Sequence, residues 1–186
     1  MKLTPTVLPE VKRVTLDVFH DERGFFTERF HRETFASLGF SGAVAQINHS
    51  RSNPGVIRGM HFQHAPAQGK LVGVTRGRVL DVAVDLRPHS VHFMQHVAVE
   101  LSGDNGEMLW IPPGFGHGFC VLGDEAADMV YAVDAPYNAA GEAGVRFDDA
   151  QLHINWPVIN PILSARDRAL PTLAALTPQL KKWFPA

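Results

Sequence analysis

Glycine and proline divide this chain into short segments, and that division is what most limits the folds open to it. The 186 residues include 13 prolines and 16 glycines, with alternating β-branched runs between them, as in residues 79–85. Alternate residues of a strand share one face, so we expect a core beneath the apolar face formed by Leu80, Val82, Val84 and Leu86. Many short strands with few helices between them indicate an antiparallel barrel or sandwich.

The same pattern predicts further strands along most of the chain, at residues 11–19, 24–30, 43–50, 73–75, 95–101, 107–111, 117–121 and 127–133. Helical periodicity is limited to residues 32–38 and 176–184, which we expect to form short helices. No repeat or shift in composition divides the chain, and its length suits one hydrophobic core. We therefore expect a single domain over residues 1–186.

The overall composition bears on partners and location. The formal net charge is −2, so the chain lacks the broad positive field that binds nucleic acid, and any phosphate must be held by a few placed arginines. The longest apolar runs are too short to cross a bilayer, and the first residues contain no apolar signal core. Cys120 is the single cysteine, so no internal disulfide can form. We expect a cytoplasmic protein with neither a nucleic-acid nor a membrane partner.

Two half-motifs indicate which barrel this is. Residues 106–117 read GEMLWIPPGFGH, and they match the second signature of the cupin double-stranded β-helix. Residues 55–63 read GVIRGMHFQ and resemble the first signature, in which two histidines are followed by a glutamate. These motifs predict an all-β, cupin-like double-stranded β-helix, or jelly-roll barrel, with a few short helices.

The first half-motif lacks residues that hold a metal in such barrels. Gln63 stands where the second histidine is usual, and Gln68 and Lys70 fall near the glutamate position. Replacing two of three ligands with an amide and an ammonium removes most of the affinity for a divalent ion. We therefore expect a barrel without a metal site, in which His61 and His117 either serve another chemistry or are packed interior histidines.

Blocks of sequence in a fixed order carry a closer resemblance. They read DERGFFTE at 21–28, QINHS at 46–50, RGMHFQ at 58–63, QGKLV at 68–72, DVAVDLR at 81–87, IPPGFGHGF at 111–119, NWP at 155–157 and SARD at 164–167. With Tyr131 and Tyr137, these blocks resemble the dTDP-4-dehydrorhamnose 3,5-epimerase family over nearly the whole chain. Any one block is weak, but this many in register are specific.

The resemblance implies an enzyme that epimerises C3 and C5 of dTDP-4-dehydro-6-deoxy-D-glucose to give dTDP-4-dehydro-L-rhamnose, with no cofactor and no metal. Both hydrogens lie α to the C4 ketone, so a base can remove either one when the enolate is stabilised. The nearest alternative is a relative that inverts only C3 or C5 of a sugar of this kind. A metal-dependent cupin dioxygenase or isomerase, and a non-catalytic sugar-nucleotide binding module, are more distant alternatives.

By the same resemblance, four residues carry the chemistry. His61 is the base and Asp167 orients it, while Lys70 lies near the C4 oxygen and favours the enolate. Tyr131 is the general acid that returns a proton on the opposite face of the sugar. Without the family, Asp167 reads equally well as a turn or helix-cap residue, Lys70 as a surface lysine and Tyr131 as core packing.

The resemblance also implies a set of substrate-binding residues. A guanidinium grips phosphate oxygens in a bidentate way, and the expected diphosphate ligands are Arg23, Arg58 and Arg166. The last of these replaces a lysine that is common in the family. Tyr137 is expected to stack on the thymine. Lys70 and five other residues match further substrate contacts, namely Glu28, Gln46, Asn48, His117 and Glu142.

A homodimer is the assembly that the family implies. The N-terminal strand region, about residues 1–30, is expected to pack on the partner subunit and to help complete its site. Arg23 and Glu28 belong to that region. The expected partners are therefore a dTDP-linked 4-keto-6-deoxyhexose and a second copy of the chain.

Overall fold

The computed structural model describes residues 1–37 and 44–186. Within these residues the chain forms thirteen β-strands, three α-helices and one 3-10 turn, at Ala139–Gly141. The strands are β1 Lys2–Pro5, β2 Lys12–Thr15, β3 Val18–Asp21, β4 Gly24–Thr27, β5 Gln46–Ser52, β6 Ile57–Gln63, β7 Lys70–Arg76, β8 Arg78–Asp85, β9 His96–Ser102, β10 Glu107–Ile111, β11 Phe115–Leu122, β12 Ala127–Val133 and β13 Glu142–Gly144. The helices are α1 Arg32–Ala36, α2 Ala165–Arg168 and α3 Leu173–Trp183.

The strands form two large sheets and one separate hairpin. One sheet has the order β1-β2-β10-β7-β12-β5, the other has the order β13-β6-β11-β8-β9, and β3 pairs with β4. All of these pairs are antiparallel. Several strands that follow one another in sequence, such as β6 and β7 or β10 and β11, lie in different sheets, whereas β8 and β9 are paired neighbours. This is the jelly-roll arrangement that the half-motifs predict, so the expected fold class is confirmed.

Apolar side chains pack in part of the space between the two large sheets and also cover their outer faces. Between the sheets, Val72 of β7 belongs to the same buried cluster as Val79 of β8. Leu176 of α3 packs over the outer face of the five-stranded sheet, and Phe35 of α1 packs over that of the six-stranded sheet. Central strands are therefore buried on both faces.

Strand β8 shows the consequence of this double cover. The predicted core face is confirmed, because Val82, Val84 and Leu86 are fully buried in the cluster that includes α3. The opposite face is buried too, and it carries Asp81 into the space between the sheets with no exposed surface. Alternation alone predicts that this second face is exposed to solvent. In a closed barrel the same face points inward and carries polar residues of the interior.

Most predicted elements are present with shifted ends. The predicted segments 107–111 and 127–133 coincide with β10 and β12, whereas 11–19 is divided between β2 and β3. Helix α3 begins at Leu173 rather than at 176. Alternation does not predict β1, β6, β13 or α2. Three of these elements are only three or four residues long, and β6 is interrupted by Gly59. The predicted helix end at residue 38 and strand start at residue 43 lie outside the described residues.

Gly59 brings β6 and β11 close together at the centre of the five-stranded sheet. Its φ is +125°, and a Cβ at this position would lie 2.5 Å from the Cα of Gly118, so no other residue fits without rearrangement. The register between the two strands shifts here, between His117 and Phe119. Next to that shift, His117 lies directly opposite His61. The two histidines of the half-motifs are therefore neighbours across the strand pair.

Candidate active site

A cavity of about 410 Å³ lies between the two large sheets. Strands β5, β7 and β12 contribute to it from one sheet, and β6 and β11 contribute from the other. Ten of the thirteen residues expected in the site line this cavity, namely Gln46, Asn48, Arg58, His61, Lys70, His117, Tyr131, Tyr137, Glu142 and Arg166. The fold therefore brings together residues that are far apart in sequence.

His61 is held by a carboxylate from a different part of the chain. Its Nε2 lies 2.5 Å from Oδ1 of Asp167 in α2. Ser164 caps that helix: its Oγ accepts from the Asp167 amide at 3.0 Å and donates to Asp167 Oδ2 at 2.8 Å. Burial alone would raise the pKa of Asp167, but the hydrogen bonds from His61 and Ser164 lower it below its usual value. An ionised Asp167 accepts the Nε2 proton, which leaves the Nδ1 lone pair of His61 free.

His117 is paired in the same way, but inside the sheet. Its Nε2 lies 2.8 Å from Oδ2 of Asp81 on the neighbouring strand β8. Asp81 is fully buried, and its Oδ1 has no hydrogen-bond partner among residues 1–37 and 44–186. Two imidazoles thus stand on the cavity wall, each with a carboxylate behind it.

Lys70 is the first residue of β7, and its side chain is buried in the cavity wall. Its ammonium lies 3.4 Å from the backbone oxygen of His61, to which it can donate. Burial lowers the pKa of Lys70 to about 8, and the negative charges of Glu142 and Asp81 offset part of that effect. A buried ammonium with few partners is well suited to stabilise negative charge on a bound ligand.

Tyr131 lies in the six-stranded sheet on β12, which pairs with the edge strand β5 on one side and with β7 on the other. It is opposite Asn48 of β5 in the strand register. Burial raises the pKa of its phenol, so the group holds its proton at neutral pH. Because His61 belongs to the other sheet, a proton donor and a proton acceptor come to the cavity from two separate walls.

Tyr137 lies at the rim of the cavity, and its side chain is 56% exposed. Its backbone N–H donates to Oε1 of Gln46 at 3.0 Å, and Gln46 Nε2 donates in turn to Oδ1 of Asn48 at 2.6 Å. A hydrogen bond with Glu142 raises the pKa of the Tyr137 phenol. The ring therefore presents an accessible aromatic face next to polar side chains.

Two of the three expected arginines reach this cavity. Arg58 donates through Nε to the Ser52 hydroxyl at 2.9 Å and through Nη2 to the Arg51 carbonyl at 3.1 Å. Arg166 forms an ion pair with Glu142, with 2.8 Å between Nη2 and Oε2. Both guanidiniums have further N–H groups to offer an anion.

Arg23 and Glu28 do not reach the cavity of their own chain. Arg23 lies at the turn of the β3–β4 hairpin and pairs with Asp21, while Glu28 lines a separate surface cleft. The hairpin exposes a group of large aromatic side chains, with 62–69% of each accessible, formed by Phe19, Phe25 and Phe26. Within one subunit this segment stands apart from the site.

Several cavity residues were not expected from the sequence, namely Ser50, Gln68, Gly118, Phe119 and Met129. Three of them could have been found from the two-residue period of a strand. Ser50 follows Asn48, Phe119 follows His117 and Met129 precedes Tyr131 on the same faces. Asp81 and Ser164, the partners of His117 and Asp167, lie outside the cavity lining, and only their three-dimensional contacts identify them.

Residues 1–37 and 44–186 also bear on two other classes of site. No group of three or more histidine, cysteine, aspartate or glutamate side chains is arranged there to hold a metal ion. None of the helices in those residues is long and apolar enough to span a membrane.

Comparison with known proteins identifies the class of this site. The sequence profile of the dTDP-4-dehydrorhamnose 3,5-epimerase family matches residues 5–175. An enzyme of that name from Shigella flexneri is 47% identical over 90% of this chain and 93% of its own length. A dTDP-4-dehydrorhamnose 3-epimerase from Streptomyces niveus is 38% identical over 90% of this chain and 82% of its own.

A solved structure adds a ligand to the comparison. The dTDP-6-deoxy-D-glucose-3,5-epimerase of Legionella pneumophila, in complex with dTDP-4-keto-L-rhamnose, superposes with a TM-score of 0.92. It is 41% identical, and the match covers 96% of each chain. The barrel and its cavity thus define a sugar-nucleotide epimerase, an isomerase on a cupin-type jelly roll. Within that class, the chain belongs to the dTDP-4-dehydrorhamnose 3,5-epimerase family.

Proposed function

We propose that the cavity converts dTDP-4-dehydro-6-deoxy-D-glucose into dTDP-4-dehydro-L-rhamnose by inverting C3 and C5. The observation that carries this proposal is the meeting of three groups in one cavity: His61, backed by Asp167, the buried Lys70 and the protonated Tyr131. Together they supply a base, a cation for the enolate and an acid. A single acid–base cycle at a carbon α to a ketone needs these three and no cofactor.

In the first step, Nδ1 of His61 removes the proton from C3 or C5. The C–H bond breaks, an N–H bond forms, and the electron pair moves through the new C=C bond to the C4 oxygen. Asp167 stabilises the resulting imidazolium through Nε2–H. The ammonium of Lys70 faces the growing negative charge on oxygen, where a desolvated cation has its greatest effect.

In the second step, Tyr131 donates its phenolic proton to the same carbon from the other side. The C=C electrons form the new C–H bond, the ketone is restored, and the centre is inverted. This assignment is supported by the positions of the two residues on different sheets, with the cavity between them. Proton exchange with solvent then returns His61 and Tyr131 to their starting states.

The nucleotide end is assigned to the outer part of the cavity. Arg58 and Arg166 are proposed to bind the diphosphate, and Tyr137 to stack on the thymine with its exposed ring. The remaining polar wall residues are proposed as sugar or nucleoside contacts, namely Gln46, Asn48, His117 and Glu142. Arg166 is restrained by Glu142, so it offers the phosphate only its free N–H groups.

A homodimer would give the β3–β4 hairpin a role. Its exposed phenylalanines need cover, and Arg23 and Glu28 lie next to them but do not line the cavity of their own chain. We propose that the hairpin packs on a second copy and brings these two residues to the partner's nucleotide site. The free, buried Cys120 is consistent with a cytoplasmic protein.

The direct test is incubation with dTDP-4-dehydro-6-deoxy-D-glucose in heavy water, followed by proton NMR of the product. The expected product carries deuterium at both C3 and C5 and has the L-rhamno configuration. Inversion at one carbon only would instead identify a monofunctional epimerase. Full activity is expected after chelation and dialysis, and a metal whose removal abolishes turnover would contradict the proposal.

A further inference from the structure

Gln63 stands where a cupin barrel places its second histidine, and the proposed chemistry leaves it without a role. Its side chain is only 2% exposed, yet Gln63 is not among the residues that line the cavity. A buried amide needs hydrogen-bond partners, because an unsatisfied donor or acceptor in the interior costs free energy. Its partners therefore indicate what the residue holds in place.

Every polar atom of the Gln63 side chain is bound to backbone. Nε2 donates to the carbonyl oxygens of Pro66 at 2.9 Å and of Pro136 at 3.1 Å. Oε1 accepts from the backbone N–H of Asn138 at 2.8 Å. One side chain thus ties together the loop that follows β6 and the loop that follows β12.

The residue between the two bound positions of the second loop is Tyr137. Its own N–H donates to Gln46, so three successive residues of the loop each have one backbone group held by a glutamine side chain. The phenol ring itself is more than half exposed at the cavity rim. These hydrogen bonds therefore hold the backbone of Tyr137 in place, while the face of its ring stays accessible.

The hydrogen-bonding pattern at this position favours glutamine over histidine or glutamate. The site needs two donors for two carbonyls and one acceptor for an N–H. A neutral histidine offers one donor and one acceptor, and an ionised glutamate offers acceptors only. The amide at this position therefore has the donors and the acceptor that the two loops need. The histidine that is usual there in cupin barrels serves instead to bind a metal ion.

We propose that Gln63 is a positioning residue for the nucleotide end of the substrate, and that it acts through Tyr137. By holding residues 136–138, it keeps the ring in place before the base arrives, so less conformational entropy is lost on binding. This inference rests on the proposed function, in which Tyr137 stacks on the thymine. Gln63 itself does not line the cavity and has no proposed contact with the reacting sugar.

The test compares Gln63→Met, which keeps the length of the side chain but removes all three hydrogen bonds, with the wild type. The KM for the sugar nucleotide and the Kd for dTDP alone, measured by calorimetry, should each rise about ten-fold, while kcat changes less than about two-fold. Gln151→Met, at an exposed position outside the cavity, serves as the matched control. If Gln63→Met does not fold, Gln63→His keeps one donor and one acceptor and should give a smaller rise in both constants.

A double-mutant cycle with Tyr137→Ala separates positioning from general loosening of the barrel. If Gln63 acts through Tyr137, the double variant should bind dTDP no more weakly than Tyr137→Ala alone. Independent, additive losses would overturn the proposal, as would a fall in kcat at unchanged KM. Failure of the proposed function itself would look different, because the wild type would then neither bind dTDP nor turn over the sugar nucleotide.

Discussion

The two histidine–aspartate pairs in the cavity wall are similar in composition and different in setting. The His61 side chain is 23% exposed, and its partner comes from a short capped helix at the far end of the sequence. The His117 side chain is 8% exposed, and its partner Asp81 comes from the adjacent strand and has no accessible surface. The first pair is therefore the more accessible of the two, whereas the second is embedded in the sheet.

This difference indicates which pair does which work. A base must contact the carbon acid and exchange its proton with solvent, and of these two pairs His61–Asp167 has the more accessible ring. His117 and Asp81 are fixed by the sheet, where they hold a negative charge near Lys70. We infer that the first pair moves protons and that the second sets the shape and charge of the wall.

The largest expected effect separates the two histidines. His61→Asn should lower kcat by about 10³- to 10⁴-fold, because a general base is lost, whereas His117→Asn should lower it by only about ten-fold. Steady-state kinetics on both purified variants checks this. Equal losses would remove the distinction between the two pairs.

Lys70→Met should lower kcat by about a hundred-fold or more, since the cation is needed most when negative charge reaches the C4 oxygen. Methionine keeps much of the volume of the buried chain, so thermal unfolding should show that the barrel is intact. Turnover close to that of the wild type would exclude Lys70 as the group that stabilises the enolate.

Asp167→Asn should have a smaller effect than His61→Asn or Lys70→Met, about ten- to a hundred-fold on kcat with KM little changed, which is the scale of one lost hydrogen bond to a charged group. The amide can still accept a hydrogen bond from Nε2, but it cannot stabilise the imidazolium by charge. Substrate binding is the internal control, because Asp167 lies behind His61 and does not line the cavity. A loss seen in KM alone would move Asp167 from the catalytic pair to the binding site.

The smallest effect concerns pH and the second pair. Because the pKa of Lys70 is about 8 and its cationic form is the one proposed to stabilise the enolate, kcat/KM should fall as pH rises through about 8. Asp81 raises that pKa, so Asp81→Asn should move the fall to lower pH, whereas Asp167→Asn should leave it in place. Residual activity in Lys70→Arg should lose this fall altogether, since arginine stays charged. An unshifted profile in Asp81→Asn would separate the second pair from Lys70.

The same two pairs show how far sequence analysis reaches. The half-motifs locate His61 and His117, and period-two alternation finds the apolar face of β8. Alternation does not identify Asp81 as a buried residue, because Asp81 lies on the other face of β8. That face is buried only when the barrel closes. The contact between His61 and Asp167 joins residues 106 positions apart, and only the family resemblance predicts it. Helix α2, four residues long, is too short for helical periodicity to predict.

The positions of Arg23 and Glu28 mark another limit. Their sequence block places them with the substrate-binding residues, but in one subunit the β3–β4 hairpin carries them away from the cavity. A sequence block predicts that residues take part in a site, but it cannot predict whether they would line the cavity of their own subunit or that of a second copy. The exposed phenylalanines of the hairpin, which we propose to pack on a second copy, cannot be distinguished from core residues by periodicity.

The central claim is that His61 and Tyr131 work from opposite walls, so that removal and return of a proton are separate steps. It is tested most directly by following deuterium uptake and inversion together, by NMR in heavy water, in two variants. In Tyr131→Phe, His61 can still form the enolate and return a solvent-derived deuteron to the face from which it took the proton. Recovered substrate should gain deuterium at C3 or C5 while little epimer forms, and His61→Asn should show neither process. Inversion that keeps pace with exchange in Tyr131→Phe, or strong exchange in His61→Asn, would contradict this account.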